Sequence, residues 1–177
     1  MRQTYTTIAV AIILVATAVT GLANEVIYNS DLQSGKVCTE FNLAKNIGRG
    51  LGMFAYAANS ITWSEAYIGP TFSPSANIQI GIAAGTESNQ TSTRFGSFLW
   101  AGHGRASFLL LGEDGGSGPW VKVEGKYALD DKTLVGVLQE INLGTGLLIE
   151  RKLDSAITLR LRLYGGGKGD AGVKLAF

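Results

Sequence analysis

The chain has 177 residues, a formal charge of +1 and only 16% charged residues. That balance excludes the strongly basic face that nucleic-acid binding requires. A lone cysteine, Cys38, excludes an internal disulfide framework. Cys38 with the single histidine, His103, makes poor support for a metal site. No cofactor is expected.

Residues 1–23 read as a secretory signal peptide. Arg2 is its one charge, an apolar run extends from Ile8 to Val19, and Gly21-Leu22-Ala23 supplies small residues for cleavage after Ala23. The run is short for a bilayer-spanning helix, which takes about 20 residues. Residues 24–177 then form a single domain, whose formal charge without Arg2 is zero. No later segment is long and apolar enough for a transmembrane helix. Any membrane span must therefore be built of strands closed into a barrel.

Glycine is abundant, at 24 residues, and proline scarce, at 3. This composition suits many strands joined by tight turns. In chain order, Lys36 to Leu43 sets Val37, Thr39, Phe41 and Leu43 against Lys36, Cys38, Glu40 and Asn42. Segments 51–58 and 61–69 are weaker candidates. Ile78, Ile80 and Ile82 oppose Gln79, Gly81 and Ala83; segments 93–101 and 106–113 follow with little contrast between faces. Trp120, Lys122, Glu124 and Lys126 alternate with Val121, Val123, Gly125 and Tyr127. After a weak segment at 132–141, Leu147 and Ile149 oppose Glu150 and Lys152. The clearest strand is Ala156 to Tyr164, with Ile157, Leu159, Leu161 and Leu163 on one face and Thr158, Arg160, Arg162 and Tyr164 on the other. Strict alternation of this kind marks a strand. Gly102-His103-Gly104-Arg105, Asp114-Gly115-Gly116-Ser117-Gly118 and Gly165-Gly166-Gly167 carry turn chemistry. The expectation is an all-β, antiparallel, up-and-down transmembrane barrel of about 10–12 strands, with eight still open if some segments are extended loops. Tyr67, Phe72, Trp100, Trp120, Tyr127 and Tyr164 fall near strand ends, where an interfacial aromatic girdle would place them.

The chain closes with Gly172-Val173-Lys174-Leu175-Ala176-Phe177, apolar at alternate positions and aromatic at the end. This ending resembles the C-terminal assembly signal of bacterial outer-membrane β-barrels. Gly172, Val173, Leu175 and Phe177 match the pattern, while Ala171 stands where a polar residue is usual. The resemblance implies outer-membrane location, lipid as surroundings and the barrel-assembly machinery as a partner. It does not single out one family of such barrels.

The face expected to line the interior carries Lys36, Glu40, Lys122, Glu124, Lys126, Glu150, Lys152, Arg160, Arg162 and Lys174. Both signs are present, so a paired polar network is expected inside, because enclosed charges are costly unless paired. Arg160, Arg162 and Lys174 could form a cationic stripe favouring anions. The functional expectation is a small porin-like or structural outer-membrane barrel, with any passage limited to small polar solutes. Two alternatives stand beside it. One is a lipid-modifying barrel enzyme using His103, Ser107 and Glu113, which would have to converge in space. The other is a soluble periplasmic β-domain holding a small apolar ligand.

Overall fold

The computed structural model describes residues 23–177; residues 1–22, which hold nearly all of the expected signal peptide, lie outside the described residues. Twelve strands follow in order: β1 (Ala23–Asp31), β2 (Val37–Gly48), β3 (Leu51–Ser60), β4 (Ser64–Ser75), β5 (Ile78–Glu87), β6 (Arg94–His103), β7 (Ala106–Asp114), β8 (Trp120–Ala128), β9 (Thr133–Glu140), β10 (Gly144–Lys152), β11 (Ile157–Tyr164) and β12 (Gly169–Ala176). Each strand pairs antiparallel with its neighbours in sequence, and β1 pairs with β12 to close the barrel.

The count corrects the expectation of about 10–12 strands with eight open. Every weak candidate segment is hydrogen-bonded on both sides, so none is spare loop, and the eight-stranded alternative falls. Residues 23–31 add the strand that closes the ring, and the uncertain region 46–70 holds the end of β2, all of β3 and much of β4.

One rim, where β1 begins, carries the hairpins 49–50, 76–77, 104–105, 129–132 and 153–156; here it is called the near rim. The far rim carries the longer connections, including 32–36, 88–93 and 115–119. Asp130 folds one near-rim hairpin on itself. Its carboxylate accepts the backbone N–H of Lys132 at 2.7 Å and of Thr133 at 2.6 Å. These bonds, the Lys132 one foremost, hold its carboxyl below the usual carboxylate range.

The register fixes which side chains point inward, because facing residues of paired strands share a face. Following the pairs from Glu25 through Asn42, Tyr56 and Tyr67 to Gly85, and onward to Arg160 and Lys174, gives one continuous interior face. The opposite face is an apolar belt. Ile82 and Phe95 are each 62% exposed, and Val137 and Leu147 each 59%. Large apolar side chains left in water on so many strands would be costly at ~25 cal/mol per Å². Facing lipid, the same belt is stabilising, and closure leaves no bare sheet edge within it.

The belt corrects the aromatic girdle. Phe72 and Tyr127 do point outward, at 49% and 50% exposure. Tyr67, Trp100, Trp120 and Tyr164 have the opposite parity and point inward. The outward aromatics also include Tyr28, Phe95 and Phe108.

Glycines shape the interior of β4 to β6. A Cβ on Gly81 would sit 2.1 Å from the ring of Phe98, its cross-strand partner, so that ring lies over the glycine backbone. Tyr67 covers Gly85 in the same way, and Tyr164 covers Gly146. Gly69 is tighter still: a Cβ there would meet the Ile82 carbonyl oxygen at 1.9 Å, next to Pro70, which has no N–H to pair. Backbone cannot move aside as a flexible side chain can. Gly69→Ala is therefore expected to cost at least the ~1–3 kcal/mol of ordinary overpacking, seen as a lower urea midpoint for the refolded protein.

Candidate functional site: the barrel interior

Two charged clusters line the interior. The first surrounds Arg94 at the far rim. Arg94 opens β6, Glu87 closes β5, Glu65 lies near the start of β4 and Glu113 near the end of β7. Their guanidinium–carboxylate distances are 2.8 Å to Glu87, 2.9 Å to Glu113 and 3.8 Å to Glu65. Arg94 Nε also donates to the Tyr67 hydroxyl at 2.6 Å. Glu87 accepts further bonds from Trp63 Nε1 at 2.6 Å and from the backbone N–H of Ser117 at 2.8 Å. The 115–119 connection is thus fastened to the interior, and the Ser117 hydroxyl completes the contact by accepting from Arg94 Nη1. A guanidinium has a planar fork of donors, so one side chain can hold carboxylates from three strands at once.

The second cluster runs along β8, β10, β11 and β12 to β1. Glu124 is its hub, with Lys126 at 2.5 Å, Lys122 at 3.1 Å and Arg160 at 3.7 Å. Glu150 meets Lys126 at 3.5 Å, Arg160 at 3.6 Å and Lys174 at 3.7 Å, and Lys174 reaches Glu25 at 3.4 Å. Arg162 pairs separately with Asp170 at 2.9 Å. Glu124 and Arg94 are each 2% exposed, so these pairs sit in a confined space where unpaired charge is expensive. Leu138, Leu148 and Tyr164 form a small apolar patch beside them, and the Tyr164 hydroxyl donates to Glu140 at 2.8 Å.

The wall opposite the second cluster is more open. Cys38, Glu40, Asn42, Tyr56, Phe98, Trp100, Leu109 and Leu111 all face inward and keep partial solvent access. Phe54 and Phe98 meet edge to face, with ring centroids 5.1 Å apart. They reach each other above Gly69 and Gly81, their respective cross-strand partners, and so cover the wall.

The sequence-derived residues therefore divide. Glu124, Lys122, Lys126, Glu150, Arg160 and Lys174 are brought together; Arg162 pairs with Asp170; Glu40 accepts from the Asn29 side-chain amide at 2.8 Å. Lys36 lies in the 32–36 connection and Lys152 is exposed at the near rim. The structure does not assemble His103, Ser107 and Glu113. His103 points outward at the near rim, Ser107 points inward at that rim, and Glu113 lies toward the other end of β7 against Arg94. Seven residues from Ser107 to Glu113 span about 20 Å of strand. Sequence reasoning missed the Arg94 cluster, because in Arg94-Phe95-Gly96-Ser97-Phe98 each face mixes polar and apolar residues and the alternation shows no contrast.

No protein-family model and no curated protein matches the sequence. Solved structures do match in fold. The KdgM porin superposes with a TM-score of 0.64 at 12% identity, covering 86% of this chain and 99% of that one. The NanC porin gives 0.54 at 11% identity, covering 88% and 99%. The fold is that of the bacterial outer-membrane porins. A porin from Rh. blastica, in a mutant form, shares it more distantly: the TM-score is 0.52 at 15% identity, with 79% of this chain covering 55% of that larger one. The porin fold accounts for both faces described above, the apolar belt in lipid and the polar interior within.

Proposed function

We propose that the protein is a narrow outer-membrane channel for small polar solutes. The observation that carries this reading is the division of the interior. Charges are packed in pairs along β8 to β12, while the aromatic rings opposite lie over glycines and the inward side chains beside them keep partial solvent access. The fold shared with KdgM and NanC supports it, and KdgM is known in complex with disordered oligogalacturonate. At 12% identity that ligand is not carried to this chain. The cationic stripe of Arg160, Arg162 and Lys174 is neutralised by Glu124, Glu150, Asp170 and Glu25, so these residues line the channel as paired groups.

The test is reconstitution in planar bilayers and in liposomes. Small, discrete conductance steps and permeation of small polar solutes are expected; a folded protein that gives neither overturns the reading.

The same reading includes export by a cleaved leader ending at Ala23, and insertion by the assembly machinery through Gly172, Val173, Leu175 and Phe177. The short hairpins of the near rim would then face the periplasm. In β12, Val173 and Leu175 point outward, whereas Gly172 points inward, where a Cβ would meet the Tyr28 carbonyl and the Asn29 side chain at 2.4 Å. Deleting Phe177 is expected to lower the amount of heat-modifiable protein recovered from outer membranes several-fold, while leaving refolding of the purified chain in detergent intact. Equal recovery with and without Phe177 would remove it from the signal.

A further inference from the structure

The interior holds more acidic than basic side chains, although the described chain as a whole is balanced. Around Arg94, three carboxylates share one guanidinium. Along β8 to β12 every inward cation except Lys152, which is exposed at the near rim, has a carboxylate within 4 Å, so that wall presents pairs and little free positive charge. Two more inward carboxylates are held by neutral donors: Glu40 by the Asn29 amide and Glu140 by the Tyr164 hydroxyl. The cations that offset this acidity elsewhere stand outside the interior. Arg49, Arg105 and Lys132 are in near-rim hairpins and Arg151 is on the outer face, paired with Asp130. Salt screens charges in bulk water over roughly 8–10 Å, while enclosed charges in low-dielectric walls are screened far less.

We infer that the channel prefers small cations over small anions, with Glu40 and Glu140 as specificity-determining carboxylates. This rests on the channel reading above. Glu40 points inward with partial solvent access, between Cys38 and Asn42 on β2. A cation passing there meets two carboxylates that form no ion pair within 4 Å among the described residues, although Lys122 faces Glu140 across the ladder, whereas an anion meets guanidinium and ammonium groups already bound to carboxylates. The preference comes from the summed field of the walls and needs no dedicated binding site.

Reversal potentials across bilayers separating unequal KCl concentrations test this. The wild type is expected to show a cation-to-anion permeability ratio above one. Glu40→Gln with Glu140→Gln should lower the ratio measurably toward one, since each amide still accepts from its neutral partner but carries no charge, while the carboxylates around Arg94 remain. A heat-modifiable mobility shift verifies that each variant is folded, and either single variant serves if the double one is not. A wild-type channel that is unselective or anion-preferring overturns the inference while leaving the channel reading in place. Folded variants with an unchanged ratio overturn the assignment of these two residues. A folded wild type with no conductance overturns the channel reading, and this inference with it.

Discussion

Replacing Arg94 with alanine is expected to destabilise the barrel by about 3–5 kcal/mol, the range seen when one partner of a buried ion pair is removed. The reason is the company Arg94 keeps. Glu65 and Glu87 are nearly inaccessible, and Glu113 is only slightly exposed. Without the guanidinium, three carboxylates from β4, β5 and β7 would face one another in a confined space, and the 115–119 connection would lose the Arg94 bond to Ser117. Arg94→Lys should recover only part of the loss, since an ammonium group lacks the fork that reaches several acceptors in one plane. Urea titration of the refolded protein, read by the heat-modifiable shift, measures both. Arg151→Ala is the control. Its pair with Asp130 is more than half exposed, and such surface pairs contribute about 0–1 kcal/mol. If Arg94→Ala and Arg151→Ala had the same small effect, the Arg94 cluster would not be a structural centre.

Glu124→Gln is expected to act on both stability and selectivity. Glu124 joins Lys122, Lys126 and Arg160. The amide keeps the shape but not the charge, so Lys126 and Arg160 would depend on Glu150 alone, and Lys122 would lose its ion-pair partner. A cost of roughly 2–4 kcal/mol follows from leaving buried cations under-compensated. In bilayers the freed positive charge should lower the cation preference, and the permeability ratio should move toward anions. Stability loss without a change in ratio would mean that the hub holds the wall together but does not face the path of ions.

How much of this could be read from the sequence depends on the contrast between a strand's two faces. β11 alternates leucine with arginine, and β8 alternates lysine and glutamate with valine, so inward and outward were legible there. β6 was not: Phe95, Ser97 and Leu99 outward and Gly96, Phe98 and Trp100 inward differ little in polarity. On the neighbouring β5 the inward glycines Gly81 and Gly85 sit opposite Phe98 and Tyr67 across the ladder, a relation that exists only once the register is known. The same limit explains the misplaced aromatic girdle, since position near a strand end says nothing about parity. The Arg94 cluster draws on four different strands, and the catalytic alternative failed for a related reason. His103, Ser107 and Glu113 are near neighbours in sequence, but an extended strand carries Glu113 away from the other two. Glycine-rich turns were legible from composition, and Glu25 to Asn29 could be read as the strand that makes the count even; β1 covers that segment and extends it to Ala23–Asp31.

The pairing of β1 with β12, from Glu25 against Ala176 to Asp31 against Asp170, has a consequence for the life of the chain before it is finished. Until the last strand arrives, the first has one side with no partner, and its row of bare N–H and C=O groups is a template for any other extended chain. The ring joins residues separated by nearly the whole described chain, the kind of contact that forms slowly. An incomplete sheet would thus persist with its apolar face exposed to water, prone to edge-to-edge association. Such a protein calls for shelter between synthesis and closure, and its vulnerable moment ends only when its two outermost strands meet.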